Sequence, residues 1–198
     1  MKINALGRTR NSGFLVAVAF ALLLTASANA QTVAESYAEL PNFHQVNAHI
    51  YRGAQPHVGG IRKLAQLGVK TVINLREEND RADDEEAEAK AAGLRFINVP
   101  MPDFSRPRDE QVRQVLALLN ASENFPVFIH CKRGADRTGT IIACYRIAHD
   151  GWTAEAALAE AKRYGMSWWQ RGMKHFVEDF YEQHTAAASG QSRSRSKQ

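Results

Sequence analysis

The sequence predicts an α/β fold, with a central, mainly parallel sheet flanked by helices. Three observations point there. Short apolar segments rich in β-branched residues alternate with longer segments whose apolar residues recur at helical spacing. The apolar run Val127-Phe128-Ile129 passes through a short loop directly into Thr140-Ile141-Ile142-Ala143, which reads as strand, tight loop, helix. The last third of the chain carries helical patterns with no strand between them, so helices gather at the end. No internal repeat and no second domain are visible in the 198 residues, a length that suits one domain with extensions.

The elements follow in order. Residues 1–30 read as a signal peptide: a basic start (Lys2, Arg8, Arg10), an uninterrupted apolar run from Phe14 to Leu24, and a small-x-small cleavage site at Ala28-Asn29-Ala30. The apolar run is short for a bilayer span, so an uncleaved membrane anchor is the lesser expectation. Residues 31–41 form a polar lead-in. Residues 42–185 form the folded domain. Phe43–Val46 and Ile50–Arg52 read as two strands joined at Asn47-Ala48. A helix with Ile61, Leu64 and Leu67 on one face ends at Gly68. Val69–Leu75 is a strand, Asn79–Ala92 a charged, alanine-rich helix, and Leu94–Val99 a strand. The run Asp83-Asp84-Glu85-Glu86 reads as a solvated helix face rather than a metal site. Arg108–Leu119 is amphipathic, with Val112, Val115, Leu116 and Leu119 inward. Phe125–His130 is a strand, and helices follow at Thr138–His149, Thr153–Tyr164 and Trp168–His184. The Ser/Arg/Gln-rich residues 186–198 read as a disordered tail.

The formal charge is +4, and loss of Lys2, Arg8 and Arg10 with the leader lowers it to +1. Arg193, Arg195 and Lys197 lie in the tail, so the folded part is near neutral. The basic balance therefore belongs to the ends and gives no support to nucleic-acid binding. Of the two cysteines, Cys144 falls on a helix expected to face the core while Cys131 faces a cleft, so both are expected reduced. Export would expose a reactive Cys131 to oxidation. The histidines show no metal-ligand spacing, and no cofactor is expected.

The chemistry concentrates in His130-Cys131-Lys132-Arg133-Gly134-Ala135-Asp136-Arg137-Thr138-Gly139. A strand–loop–helix turn aims backbone N–H groups and a helix N-terminus at one point, which suits an anion. A cysteine at such a position favours the thiolate, a nucleophile. An arginine offers a planar fork that matches two phosphate oxygens. Together they spell phosphoryl transfer through a covalent cysteine intermediate.

This stretch resembles the His-Cys-x5-Arg-Ser/Thr signature of cysteine-dependent tyrosine and dual-specificity phosphatases, matching at His130, Cys131, Gly134, Arg137, Thr138 and Gly139. Tyr51-Arg52-Gly53-Ala54-Gln55-Pro56 is similar to the entry segment of the atypical dual-specificity type. Met101-Pro102-Asp103-Phe104-Ser105-Arg106-Pro107 is similar to the acid loop of tyrosine phosphatases, with Met101 in place of tryptophan and Ser105 in place of glycine. The resemblance implies a dual-specificity phosphatase-like fold and a definite mechanism. Loop residues 132–137 (Lys132, Arg133, Gly134, Ala135, Asp136, Arg137) seat the phosphate, and Cys131 attacks it. Asp103 serves as acid and then base, Thr138 donates to the sulfur, and His130 steadies the loop. Asp136 is the competing acid.

The leading expectation is an exported, periplasmic or secreted phosphatase acting on phosphotyrosine, with phosphoserine and phosphothreonine as further protein substrates. The basic pair Lys132 and Arg133 keeps an inositol-phosphate or phosphoinositide substrate open. A catalytically silent phosphate-binding module and a rhodanese-like sulfur carrier are lesser alternatives. Trp168-Trp169 reads either as a wall of the site or as packing. Oligomeric state is not legible.

Overall fold

The computed structural model describes residues 37–77 and 80–195. The expected leader and residues 31–36 of the lead-in lie outside the described residues. Five strands form one sheet: β1 (His44–Asn47), β2 (Ile50–Ala54), β3 (Thr71–Asn74), β4 (Arg95–Asn98) and β5 (Val127–Cys131), in spatial order β1-β2-β5-β3-β4. The β1–β2 pair is antiparallel, and the other pairings are parallel. Asn47 turns the hairpin by accepting the His49 N–H at 2.8 Å.

Among the described residues six α-helices flank the sheet: α1 (Gly60–Gln66), α2 (Asp80–Ala91), α3 (Asp109–Asn120), α4 (Asp136–Asp150), α5 (Ala154–Arg163) and α6 (Arg171–Arg195). The α/β expectation therefore holds. Thr153 caps α5 by accepting the Ala156 N–H at 3.2 Å. Two ends differ from the sequence reading. Helix α4 starts at Asp136 rather than Thr138, which puts Arg137 and Thr138 in its first turn. Helix α6 continues to Arg195, so residues 186–195 are helical where a disordered tail was expected. Ala186, Ala187 and Ala188 extend α6 because alanine costs a helix the least conformational freedom.

The core lies on both faces. On one, Ile73, Val127, Ile129 and Cys131 pack with Val112 and Val115 of α3, Ile141 of α4 and Phe176 of α6. On the other, Val72 and Phe128 pack with Ile61 and Leu64 of α1 and Ala89 of α2. All five residues of β5 are buried, as expected for a central strand covered on both faces. Successive side chains alternate between faces. Cys131 thus points to the α3–α4–α6 side. His130 points to the α1–α2 side, where its ring stacks on Phe128 at 5.5 Å. In register, Ala54 opposes Cys131 and Asn74 opposes His130, so the carboxyl ends of β2, β5 and β3 converge on one point.

Candidate active site

The loop after β5 has little freedom. Gly134 has φ +66, and a Cβ there would sit 2.3 Å from the carbonyl carbon and oxygen of Gly53. Gly53 is constrained in turn, because its own Cβ would meet the Phe128 ring at 2.7 Å. The two glycines let the loop lie directly on β2. Arg52 locks that contact: its buried Nη2 donates to the Gly134 carbonyl at 2.8 Å, and its guanidinium lies 4.6 Å over the Tyr164 ring. Burial pushes the Arg52 pKa down to about 10, which leaves it a cation beneath the loop at neutral pH. The sequence pointed to Arg52 only through the entry segment.

Arg137, buried in the first turn of α4, closes the loop. Its Nη1 donates to the Met101 carbonyl at 3.3 Å and lies 3.5 Å from the Leu75 carbonyl, so it ties the start of α4 to the segments that follow β3 and β4. Its Nη2 is paired with the Asp103 carboxylate. The segment 101–107 is fastened to the start of α6: Gln170 donates to the Asp103 carbonyl at 2.8 Å, and Arg106 pairs with Asp179 and lies 4.9 Å over the Phe176 ring.

A cleft of about 190 Å³ brings Cys131, Lys132, Arg133, Asp136 and Arg137 together with Asp103 and Phe104, closed by Trp169 and Gln170. Gly134 and Ala135 form the turn between them, and the first N–H groups of α4 have no partner within the helix. Such a cleft can seat a tetrahedral anion on N–H groups and the Arg137 fork, with a sulfur behind it and a carboxyl group in front.

The other site residues separate here. The Asp136 carboxylate accepts from the Ser167 N–H at 2.8 Å and lies 3.6 Å from Arg133, so it braces the α5–α6 connection. Arg133 is turned the same way, donating to the Gly165 carbonyl at 3.0 Å and to Ser167 at 3.2 Å. It thereby braces that connection while still lining the cleft, because the carbonyl and hydroxyl of the connection lie within its reach. Lys132 is exposed at the mouth of the cleft. Thr138 is fully buried, and its hydroxyl has no hydrogen-bond partner; the expected bond to the Cys131 sulfur is not formed. Trp169 lines the cleft 5.7 Å from the Phe104 ring, whereas Trp168 is 80% exposed. Cys131 and Cys144 are both free and buried, and burial pushes the Cys144 thiol up.

One residue escaped the sequence reading. Glu85, placed there on a solvated face, is 5% exposed, and its Oε1 lies 3.0 Å from His130 Nε2. Gln55 donates to its Oε2 at 2.8 Å, and Asn74 donates at 3.4 Å. Burial alone would raise the Glu85 pKa, but His130, then Gln55 and Arg76, hold it below its ordinary value. The alanines around Glu85 on α2 were the available signal, since they allow the helix to lie close to the sheet.

A cysteine loop closed by an arginine, facing a carboxyl group across a small cleft, defines the class of cysteine-based phosphatases. The chain belongs to the family described as DSP-PTPase phosphatase fused to NAD+ kinase, which matches residues 24–179. It is 37% identical over 125 residues to the dual specificity protein phosphatase TpbA of Pseudomonas aeruginosa; that match covers 63% of this chain and 55% of TpbA, so the chain spans little more than half of this relative. It is 32% identical over 145 residues to the inositol diphosphatase DSP5 of Arabidopsis thaliana, covering 71% of this chain and 70% of DSP5. Among solved structures, a cysteine-to-serine variant of P. aeruginosa TpbA in complex with pTyr superposes with a TM-score of 0.64 at 30% identity, covering 78% of this chain and 94% of that one. The core catalytic domain of the PP-IP phosphatase SIW14 from S. cerevisiae shares the fold, with a TM-score of 0.67 at 23% identity over 80% of this chain and 96% of that one.

Proposed function

We propose that this chain is an exported phosphatase that hydrolyses phosphate monoesters through a phosphocysteine at Cys131, with phosphotyrosine in proteins as the leading substrate. The observation that carries the reading is the convergence of Cys131, Arg137 and Asp103 on one cleft. The substrate phosphate takes the place of Asp103 on the Arg137 fork, and the displaced carboxyl group meets the leaving oxygen. The Cys131 thiolate attacks in line, an S–P bond forms, and the P–O bond to the leaving group breaks. Released from Arg137, the Asp103 carboxylate takes up a proton from solvent and delivers it to that oxygen. A water then attacks phosphorus, Asp103 takes the water's proton, and the S–P bond breaks to release inorganic phosphate. The Thr138 hydroxyl is free to donate to the departing thiolate. Electrostatic preorganisation by the loop carries most of the rate. Phe104 and Trp169 offer flat apolar walls for an aryl ring, which favours phosphotyrosine.

A second reading, an inositol-phosphate or phosphoinositide substrate, has its own supporting observation. A neighbouring cleft of about 520 Å³ shares Lys132 and Arg133 with the first and adds Arg76 and His57, with no carboxylate in its lining. Such a cleft suits a second phosphate group.

The test is phosphate release by the purified protein in reducing, chelator-containing buffer. Phosphotyrosyl and phosphoseryl peptides are compared with soluble inositol polyphosphates, and Cys131→Ser is the control. Faster turnover of the phosphotyrosyl peptide is expected; faster turnover of the polyphosphates moves the function to the second reading. No phosphate release from any of them leaves a silent binding module, and activity surviving in Cys131→Ser ends the cysteine mechanism. Thiocyanate formed from thiosulfate and cyanide revives the sulfur carrier. Export rests on the leader pattern in residues 1–30. N-terminal sequencing of the protein from fractionated cells is expected to begin at Gln31, and a start at Met1 in the cytosol overturns it.

A further inference from the structure

Glu85 and His130 form a buried pair from different elements. His130 is 0% exposed and Glu85 5% exposed, and their nearest atoms are 3.0 Å apart. A carboxylate does not stay charged in such a place without a compensating charge. The groups facing Glu85 come from several directions: His130 from β5, Asn74 from β3 and Gln55 just beyond β2. Arg76 stands behind Gln55, donating to its Oε1 at 2.7 Å. On α2 itself, Asp84 and Glu88 lie with Glu85 along an outer cleft that His57 also lines.

The orientation of the His130 ring is informative. Nε2 faces the Glu85 carboxylate, and Nδ1 faces the Cys131 carbonyl at 3.4 Å. Both neighbours are acceptors, and a ring with one proton presents a lone pair to one of them. The doubly protonated ring turns an N–H toward each, and its contact with Glu85 is a 3.0 Å ion pair in which Nε2 and Oε1 lack hydrogen-bond alignment. Its positive charge then lies against the backbone of the nucleophile, on the opposite face of β5 from the sulfur, where it favours the thiolate.

We propose that Glu85 is the positioning residue for the nucleophile, orienting His130 and supplying the buried negative charge that keeps its ring doubly protonated beside Cys131. This deepens the reading of Cys131 as nucleophile, and it is testable without turnover. Iodoacetamide alkylation of the full chain is followed against pH, with Cys131→Ser reporting the background from buried Cys144. Glu85→Gln is expected to raise the pH of half-maximal alkylation by about one unit, and Glu85→Asp to recover part of the shift. A folded Glu85→Gln variant whose profile stays in place or moves down overturns the proposal. A second readout keeps the test open if that variant fails to fold. In ¹⁵N-histidine-labelled wild-type protein at neutral pH, with His130→Asn for assignment, both His130 ring nitrogens are expected to carry protons; a ring with one proton overturns the proposal. A chain that alkylates as expected but releases no phosphate leaves this role of Glu85 in place and removes the hydrolase reading instead.

Discussion

The Arg137 guanidinium is paired with the Asp103 carboxylate, across the cleft from Cys131. In the proposed mechanism Asp103 therefore rests on the fork that receives the phosphate, and one displacement both frees the fork and aims the carboxyl group at the leaving oxygen. Asp103→Asn is expected to lower kcat by about 10²–10³-fold on alkyl phosphates. The loss is expected to be smaller on p-nitrophenyl phosphate, whose leaving group needs little help. Asp136→Asn is expected to cost less, because Asp136 holds Ser167. Steady-state kinetics of the two variants decide the matter, and the reverse order would transfer the acid role to Asp136.

Arg137→Lys keeps the charge but loses the planar fork and its donation to the Met101 carbonyl. Phosphate release is expected to fall by about 10²-fold, with competitive inhibition by inorganic phosphate weakened as well. Inhibition constants measured beside kcat separate loss of binding from loss of chemistry.

Gly134→Ala sets a methyl group into the Gly53 backbone and requires a left-handed φ. The expected destabilisation is about 3 kcal/mol, read by chemical denaturation, with loss of activity. Gly151→Ala is the comparison: it has a similar φ of +71 but meets nothing within 4 Å, so only the conformational part of the cost is expected.

Arg52 separates loop support from packing. Arg52→Ala removes the donor to Gly134 and leaves a cavity, at an expected cost of about 3 kcal/mol. Arg52→Met fills the volume without a charge to bury and should regain much of that stability. Phosphate release is expected to stay low in both variants, because the Gly134 carbonyl is no longer held.

Acid should loosen the α2–β5 contact. The Glu85 pKa is lowered by folding, so its contribution to stability is fully present above its ordinary value of 4.5 and is lost as pH falls through the lower folded value. Glu85→Gln is accordingly expected to flatten the fall of stability below pH 4.5, measured by urea denaturation at stepped pH.

The strands, the helices and the loop from His130 to Gly139 were legible in the sequence because each is written in near neighbours: alternation, helical spacing, glycine at turns. Cys131 and Arg137 were legible for the same reason, since seven consecutive residues hold both. The order β1-β2-β5-β3-β4 and the pairings that complete the site were not, because they join residues far apart in the chain. Asp103 reaches Arg137 only because the sheet sets the ends of β4, β3 and β5 in a row, so that the segment after β4 meets the start of α4. Arg52 reaches Gly134 only because two glycines remove the side chains between β2 and the loop. Glu85 looked like one acid in a solvated run, and packing of α2 against the sheet turned it inward onto His130. Arg133 looked like a substrate contact alone, and in the folded chain it also holds Gly165 and Ser167. Residue spacing sets which way a side chain leaves its own helix or strand; what it meets there depends on which element packs opposite, and that is decided by the folded chain as a whole.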